Sequence, residues 1–465
     1  MKKILLTILI LVSIVLLSSA CDDYNELTAP PPVNLGSADF TRFVSIGNSL
    51  TMAEQSSSVF EASQMYSFGK LIANQVGTTY EQATFSDPGT GGRLEIRSLD
   101  LVNGSAEIVV NSETGSPTNL SYPAPYNNLG IKGAFLTDVI NARSANTCYT
   151  ANFGAPNPLF DAVLRGFGTQ LELAQIQQPT LVTLWIGNND ILAFATRGGL
   201  FPITNVQQFA ANYKTILDNL QAVGAQVVMA NIPDIKNIPF FKTVGPGIGL
   251  KLQQNQIPGM VYQTTGGIGQ ATVNDLFSLN VLILLTGSSA ASLIGDVTGA
   301  YYTLNGIPVP PGVNTAYPFG LAPENPWPNN LILDPIEMAA VDQTVSAYNN
   351  IIETEASSRG FAFVDIHKLL NAVGAPGGIV VNGIIFSSDF ITGNAYSLDG
   401  VHPTTQGYGL VANAFIETIN DKYNASIPLI NVATLPGSLI FEGTIPMGKY
   451  GIPQIPFGAL DRIIF

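Results

Sequence analysis

Histidine and cysteine are both scarce in this sequence of 465 residues, which contains two of each. Two histidines cannot supply most zinc sites, and no His-Glu-x-x-His or Cys-x-x-Cys motif occurs. Two cysteines also offer no disulfide framework on which a fold could depend. The sequence therefore predicts no bound metal and a fold that rests on its hydrophobic core.

Basic residues are few as well: 19 Lys and Arg stand against 33 Asp and Glu, for a formal net charge of −14. A nucleic-acid-binding surface needs positive charge to offset the phosphates, so we expect no nucleic-acid partner. Charged residues make up only 11% of the chain and hydrophobic residues 46%. This composition argues against disorder and suits one large domain with insertions, or two domains.

Nucleotide-binding loops are also missing. The P-loop pattern Gly-x-x-x-x-Gly-Lys-Ser/Thr does not occur. Residues 245–249 and 266–269 are glycine-rich, but they lack the strand–turn–helix setting of a dinucleotide-binding loop, and we predict that both are loops. No organic cofactor is expected.

The amino-terminal residues have the pattern of an export signal. A basic start is followed by an apolar run (residues 4–17) and small residues, and Cys21 comes next. This ending resembles a bacterial lipobox, which implies that residues 1–20 are a signal peptide and that Cys21 is lipidated. The alternative is ordinary cleavage after Ala20, which leaves Cys21 free. If Cys21 carries the lipid, Cys148 has no partner for an intrachain disulfide.

Residues 21–38 are acidic and proline-rich, and they are predicted to be an extended tether. Export followed by lipidation implies a protein anchored in a bacterial cell envelope, at the outer membrane or the cell surface. The amino-terminal lipid would then be its contact with the membrane.

Strand and helix patterns alternate along the rest of the chain. Short apolar runs indicate buried strands, and longer amphipathic stretches between them indicate helices. The alternation predicts a three-layer α/β/α fold with a parallel sheet of about five strands, similar to flavodoxin. The predicted strands include 40–46, 180–186, 226–230 and 361–364, and the predicted helices include 60–76, 206–222, 336–358 and 404–423.

Two regions interrupt this alternation. Residues 84–127 are rich in Gly, Ser, Asn and Pro, with one β-like run at 107–110. Residues 241–330 are glycine-rich and apolar, and they are too long for a plain connection, so we predict an inserted subdomain. The main domain is predicted to span 39–425, and a proline-rich extension, 426–465, follows it.

His402 is the stronger of two candidate general bases, because imidazole can accept and return a proton near neutral pH. Asp399 lies three residues earlier on a loop with Gly and Pro, where a turn could bring its carboxylate to one ring nitrogen. Asp-x-x-His is common by chance, so this pair alone is weak evidence. The competing pair, Asp365 and His367, follows a predicted strand, and His367 is expected to begin a helix or stay partly exposed.

Ser49 is the candidate nucleophile. It follows the predicted strand 40–46, and ligands of open parallel sheets bind beyond the carboxyl ends of the strands. The alternative is a serine that only caps the next helix. No Gly-x-Ser-x-Gly motif occurs, which disfavours the α/β-hydrolase version of a serine triad.

Four short segments resemble the sequence blocks of the SGNH hydrolases, also called GDSL esterases and lipases, and they occur in that family's order. Each is weak alone, but their order beside the predicted strands makes a strong combined signal. Asn48 departs from the family's aspartate at that position. The blocks are Gly47-Asn48-Ser49-Leu50, Asn128-Leu129-Gly130-Ile131-Lys132-Gly133-Ala134, Gly187-Asn188-Asn189-Asp190 and Asp399-Gly400-Val401-His402-Pro403.

The resemblance implies a catalytic triad in which Ser49 is the nucleophile, His402 is the base and Asp399 orients the base. It also implies hydrolysis of a carboxylic ester through an acyl-serine intermediate, with an acyl lipid or an acylated glycan as the substrate. Two alternatives stay open. One is a carbohydrate O-deacetylase with the same triad, and the other is a non-catalytic surface lipoprotein that binds glycan or lipid.

The resemblance further implies an oxyanion hole made of the Ser49 N–H, the Gly133 N–H and the Asn189 side chain. Gly130 is an alternative to Gly133, because the gap from Ser49 to this block is longer than in minimal family members. Preorganised donors at this point stabilise the negative charge that acyl transfer builds on the carbonyl oxygen.

The region 241–330 bears on the substrate. Its apolar residues, among them the run 279–285, are either a core of their own or an apolar overhang above Ser49. An overhang would favour medium-chain acyl groups, because each buried CH₂ contributes about 0.8 kcal/mol.

Overall fold

The computed structural model describes residues 33–100, 105–123, 125–437 and 449–464, and the residues from Leu35 onward form one unit. The predicted signal peptide, Cys21 and most of the predicted tether lie outside these residues. No helix in the described ranges has both the length and the apolar character that a membrane crossing requires.

The strands of the described chain are short, and each belongs to one parallel sheet or to a two-stranded antiparallel pair. In chain order they are β1 (Phe43–Gly47), β2 (Arg93–Asp100), β3 (Ser105–Asn111), β4 (Leu181–Trp185), β5 (Gln226–Ala230), β6 (Gly259–Thr264), β7 (Gly267–Thr272), β8 (Leu282–Ile283), β9 (Ile332–Leu333), β10 (Ala362–Val364), β11 (Ile379–Val381) and β12 (Ile384–Phe386).

The helices range from single turns to seven turns. In chain order they are α1 (Ser49–Met52), α2 (Glu61–Gln64), α3 (Phe68–Val76), α4 (Asp138–Asn141), α5 (Leu159–Leu164), α6 (Gln170–Ile176), α7 (Asn189–Ala195), α8 (Val206–Ala222), α9 (Pro239–Lys242), α10 (Val244–Gln254), α11 (Val273–Phe277), α12 (Ser288–Ala291), α13 (Ala300–Leu304), α14 (Pro335–Arg359), α15 (Ile366–Gly374) and α16 (Thr405–Tyr423).

The main sheet contains four parallel strands in the order β1-β4-β5-β10. Every residue of β1 and β4 is buried, as expected for parallel strands that helices cover on both faces. Helix α3 packs against α16, where Phe68 and Phe415 stack with ring centroids 4.8 Å apart. Helix α8 packs against α14, where Phe209 and Tyr348 stack at 3.8 Å. The protein is therefore mixed α/β and compatible with an α/β/α arrangement.

The main sheet has four strands in the described residues where about five were expected, and beyond β1 there is an isolated bridge. Asn128 lies beside β1 and pairs in parallel with Ser45 of that strand. The Ser45 N–H donates to the Asn127 carbonyl, and the Leu129 N–H donates to the Ser45 carbonyl. The Asn128 side chain then donates to the Thr51 carbonyl at 2.8 Å, and the Asn127 side chain donates to the Phe43 carbonyl at 2.9 Å. The Asn127 side chain thus bonds a β1 carbonyl that the main chain of a paired strand would otherwise bond.

Several predicted elements are confirmed, and α8 and β5 have the predicted bounds. The single helix expected over 60–76 is wrong, because the structure divides it into α2 and α3. Ser67 lies between them and accepts a hydrogen bond from the Lys70 N–H at 3.3 Å, which starts a new helix.

The loops predicted from the glycine-rich segments are also wrong. Residues 245–249 lie within α10, and 266–269 belong to the turn and second strand of the β6–β7 hairpin. Tertiary contact explains both cases. A β-carbon on Gly247 would lie 2.4 Å from Ile452, and one on Gly269 would lie 2.4 Å from the Tyr262 ring. The glycines allow close packing, and this outweighs their poor intrinsic propensity.

Candidate active site

Adjacent strands of the main sheet deliver two of the predicted site residues to the same edge. Ser49 is the first residue of α1 and is separated from β1 only by Asn48, and Asn189 is the first residue of α7, after β4. Asn48 caps α1, because its Oδ1 accepts the Leu50 N–H at 3.1 Å. His402 arrives from a distant part of the chain, on the loop that precedes α16.

Ser49, His402 and Asp399 form one hydrogen-bonded chain. The Ser49 Oγ atom lies 3.0 Å from His402 Nε2, and His402 Nδ1 lies 2.9 Å from Asp399 Oδ2. All three residues are buried, and only 4% of Ser49 is exposed to solvent. In this order, the imidazole can accept the serine proton at one nitrogen while the carboxylate orients the other.

Asp399 is held as a carboxylate. Its Oδ1 accepts the N–H groups of Val401 and His402, and its Oδ2 accepts the Ser57 N–H at 2.7 Å. Burial alone raises the pKa of Asp399, but the charge and hydrogen bonds of His402 lower that pKa to about 2. The His402 Nδ1–H therefore donates to Asp399, and whenever the ring is neutral it presents the lone pair of Nε2 to Ser49.

Glu54 is a site residue that sequence reasoning missed. Its carboxylate is fully buried, and Oε2 lies 3.3 Å from His402 Nε2. Its Oε1 lies 2.5 Å from the ammonium of Lys132, which is also buried and also donates to the Ser57 carbonyl at 2.9 Å. Lys132 stands inside the second of the four blocks. A lysine in an otherwise apolar and glycine-rich block was the only signal that could have found this pair.

The charges around His402 act in opposite directions on its basicity. Burial lowers the pKa of His402, but the carboxylates of Glu54 and Asp399 outweigh burial and raise that pKa above its usual value. Lys132 works against them. The net effect makes His402 a stronger base than an isolated imidazole.

The short segment that follows Ser49 and packs against the Asp399 loop has a strained backbone. Ala53, Ser56 and Ser57 have φ of 66°, 52° and 67°, in the left-handed region that ordinary residues avoid. Each such residue costs about 1–3 kcal/mol, and the strain is held by contacts with the opposite loop. Ser56 N–H, for example, donates to Ser397 Oγ at 2.8 Å.

Gly133 and Gly130 differ in the state of their N–H groups. The Gly130 N–H donates to Asn128 Oδ1 at 2.9 Å and is therefore engaged. The Gly133 N–H has no hydrogen-bond acceptor among the described residues. Gly133 has φ of 78°, and a β-carbon there would lie 2.3 Å from the Ile464 carbonyl oxygen. A glycine is thus required at position 133, because its φ is positive and because the Ile464 carbonyl lies so close.

Asn189 is tied to the same loop as Gly133. Its Nδ2 donates to the Ala134 carbonyl at 2.9 Å, which leaves the second N–H of this amide without a partner in the described chain. Asp190 fixes the loop from the other side, since its Oδ2 accepts the Leu136 N–H at 2.8 Å. Burial raises the pKa of Asp190 to about 6.

The segment 449–464, here called the C-terminal segment, lies against this site. Besides the contact of Ile464 with Gly133, Ile452 packs on Gly247 of α10, and the Phe457 ring contacts Tyr301. The segment lines a cavity of about 350 Å³ together with Thr286 and the end of α7. The approach of Ile464 to Gly133 places the end of this segment against the site.

The apolar residues of the region 241–330 are mostly core. Phe241, Ile248 and the run 281–285 are at most 2% exposed. Leu285 nevertheless reaches the loop of Asp399 and His402, because its side chain lies 3.0 Å from the position of a β-carbon on Gly400. The region therefore borders the site, while most of its apolar side chains pack among themselves.

The competing pair lies elsewhere and has a structural role. Asp365 caps α15 and accepts the Lys368 N–H at 2.9 Å. The His367 Nδ1 atom lies 3.0 Å from the Ile232 carbonyl oxygen. As expected, His367 belongs to the start of a helix and is partly exposed.

One cluster of potential metal ligands occurs in the described residues, and it is formed by Glu54, Asp399 and His402. The two carboxylates face different nitrogens of the same imidazole, and the Lys132 ammonium already bonds Glu54. A cation between them would meet this ammonium. The arrangement fits proton transfer better than metal binding.

Cys148 is buried and unpaired among the described cysteines. The proposed lipidation residue, Cys21, lies outside the described residues, so the contacts of Cys148 do not bear on it.

Comparison with known proteins leaves the family of the chain open. A scan against protein-family models gives no match, and a search of curated proteins finds none that is significantly similar. The likeness to SGNH hydrolases thus rests on the four sequence blocks.

Proposed function

We propose that this protein is a serine hydrolase that cleaves carboxylic esters, with Ser49, His402 and Asp399 as its catalytic residues. The observation that carries the proposal is the buried chain Ser49 Oγ–His402 Nε2 and His402 Nδ1–Asp399 Oδ2, with both distances at or below 3.0 Å. These three side chains are the parts that nucleophilic acyl transfer requires.

The proposed reaction proceeds in two proton-coupled steps. Ser49 Oγ attacks the ester carbonyl carbon while its proton passes to His402 Nε2. The tetrahedral intermediate then collapses, the bond to the alcohol oxygen breaks, and Nε2 returns the proton to that oxygen. Water repeats the sequence on the acyl-serine and releases the acid.

We propose that the oxyanion hole consists of the Ser49 N–H, the Gly133 N–H and the free amide N–H of Asn189. Gly133 is preferred over Gly130 because the Gly130 N–H is already bonded to Asn128. The finer fold assignment belongs to the same proposal: an SGNH-type α/β/α domain in which 241–330 is an insertion. It is supported by the order of the four blocks and by the positions of Ser49 and Asn189 after neighbouring strands.

A second candidate function is removal of short acyl groups, of which O-deacetylation of a carbohydrate is the example that the sequence raises. The enclosure of Ser49 favours this second function. Ser49 is 4% exposed, and the apolar residues expected to hold a long acyl chain are buried in their own core. Little apolar surface therefore remains for a long chain in this conformation.

An ester assay tests the proposal. Purified protein is incubated with p-nitrophenyl acetate and butyrate, and release of p-nitrophenol is compared with that of a His402→Asn variant. We expect turnover by the native protein and a loss of several orders of magnitude in the variant. Equal rates for the two proteins would reject the proposed role of His402. No turnover of any ester would favour the non-catalytic lipoprotein that binds glycan or lipid.

A further inference from the structure

Glu54 and Lys132 form a buried ion pair that the triad itself does not require. Buried ionic groups are costly unless they are paired, and removal of one partner leaves an uncompensated charge. The pair lies beside the atom that exchanges the proton, because Glu54 Oε2 is 3.3 Å from His402 Nε2. This position calls for an explanation beyond stability.

The contacts close into a ring around the imidazole. Asp399 Oδ2 accepts the Ser57 N–H, the Ser57 carbonyl accepts a hydrogen bond from Lys132, and Lys132 bonds Glu54. Glu54 then faces His402 Nε2, and the contact between His402 Nδ1 and Asp399 closes the ring. The Tyr408 hydroxyl donates to the Glu54 carbonyl at 2.8 Å and fixes the main chain at this point.

The lone pairs around Nε2 show what a proton on this atom changes. With Nδ1–H donated to Asp399, a neutral His402 presents a lone pair at Nε2, and the nearest Glu54 oxygen presents lone pairs as well. Glu54 Oε2 has no hydrogen-bond donor in the described structure. A proton on Nε2 removes this conflict, because the N–H then points to acceptors on both Glu54 and Ser49.

The charges of the cluster favour the same state. The ionisable groups that face His402 in the described residues are Asp399 on its own loop, Glu54 after α1 and Lys132 on the loop before α4. With a neutral imidazole these groups sum to one negative charge, and with an imidazolium they sum to zero. Burial penalises net charge, so the enclosed cluster is balanced when His402 holds the proton.

We propose that Glu54 is a positioning residue that acts through His402: it stabilises the imidazolium formed during acyl transfer, and Lys132 holds Glu54 in place and limits its effect. The role in acyl transfer rests on the proposed ester hydrolysis. The proton balance is that of the triad: the proton leaves Ser49 Oγ, resides on Nε2 beside Glu54, and passes to the departing alcohol oxygen.

The test is an NMR titration of His402, which needs no substrate. The chain has two histidines, so His367→Gln leaves one imidazole signal. In this background we expect Glu54→Gln to lower the titration midpoint of His402 by about 1–3 pH units, and Lys132→Met to raise it. The double variant Glu54→Gln/Lys132→Met removes both charges, and it should titrate between the two single variants. Its midpoint should lie below that of the parent, because Glu54 acts on His402 more strongly than Lys132 does. Glu61→Gln changes an exposed carboxylate in α2 and serves as the matched control without a shift.

The inference requires that the two single variants shift the titration midpoint of His402 in opposite directions. A general loosening of the site would instead move both midpoints in one direction. An unchanged midpoint in Glu54→Gln, or shifts of the same sign, overturns the inference. If Glu54→Gln does not fold, the double variant must titrate below Lys132→Met, and the reverse order overturns it. If the titrations behave as expected but no ester is cleaved, the proposed function fails while the coupling of Glu54 to His402 stands.

Discussion

The Oγ atom of Ser49 lies 3.0 Å from Nε2 of His402, although 353 positions separate the two residues in the sequence. Their meeting depends on two different parts of the fold. Ser49 is fixed by the end of β1 and the cap of α1, and His402 by the loop before α16. A helix-capping serine would not need an imidazole nitrogen at its hydroxyl, so this contact favours the nucleophile over the simpler alternative.

The pH dependence of catalysis follows from the raised pKa of His402. Only the neutral ring can accept the serine proton, so kcat/KM should rise with pH through a limb above 6.5, the usual value for histidine. A pH–rate profile on a p-nitrophenyl ester measures this limb. His367→Gln is the control, because it removes the other histidine without changing the limb. A limb at or below 6.5 would contradict the assigned electrostatics.

The contribution of His402 to stability should fall as pH rises above 6.5, whereas kcat/KM rises over the same range. The folded pKa of His402 is raised, so its contribution is complete below pH 6.5 and is lost as pH rises through the folded value. The folded pKa of Asp399 is lowered to about 2, so its contribution is present above 3.8 and is lost as pH falls toward 2. Thermal unfolding of native protein and of His402→Asn across pH checks the first of these two effects.

Gly133→Ala should impair both stability and turnover. A residue with φ of 78° pays about 1–2 kcal/mol for a β-carbon, and here that atom would also strike the Ile464 carbonyl. If the Gly133 N–H is an oxyanion donor, its displacement should lower kcat by about 10²–10³-fold.

Gly154→Ala is the matched control for this variant. Gly154 has φ of 79°, and nothing lies within 4 Å of its β-carbon position. Gly154→Ala should lose only the stability that backbone strain costs, without the added clash, and it should keep its turnover. Full activity in a folded Gly133→Ala protein would remove Gly133 from the proposed oxyanion hole.

Acyl-chain length separates the two candidate substrate classes. The sequence suggested an apolar overhang and hence medium-chain esters, but most of those residues are buried in their own core. We therefore expect kcat/KM for p-nitrophenyl esters to be highest at C2 to C4 and to decline toward C12. A rise of close to fourfold per added carbon, as burial of about 0.8 kcal/mol per CH₂ predicts, would instead support a lipid-like substrate.

The amino terminus supplies an independent prediction. Cys21 should carry the lipid anchor, and more than one acyl chain is needed for stable attachment to a membrane. Intact-mass analysis of protein from the membrane fraction should show a chain that begins at Cys21 with added acyl mass. Cys21→Ser should release the protein from that fraction. An unmodified Cys21, or a disulfide between Cys21 and Cys148, would reject the anchor.

Sequence patterns predicted the elements whose signals are local. The apolar run of β5 and the amphipathic period of α8 fixed their bounds, and the three triad candidates lie together. Gly247 of α10 was misread because its role is close packing with Ile452 of the C-terminal segment, which lies about 200 residues away in the sequence. Glu54 was missed for a similar reason. Its meaning depends on Lys132 and His402, which only the tertiary fold brings to it.

Covalent labelling of Ser49 tests the central claim most directly. Native protein is treated with a fluorophosphonate probe, digested, and analysed by mass spectrometry, in parallel with Ser49→Ala. We predict that the probe modifies Ser49 alone, that Ser49→Ala is not labelled, and that its kcat falls by about 10⁶-fold while its thermal unfolding stays cooperative. Labelling at another serine, or a folded Ser49→Ala protein that keeps more than a tenth of native activity, would contradict the account.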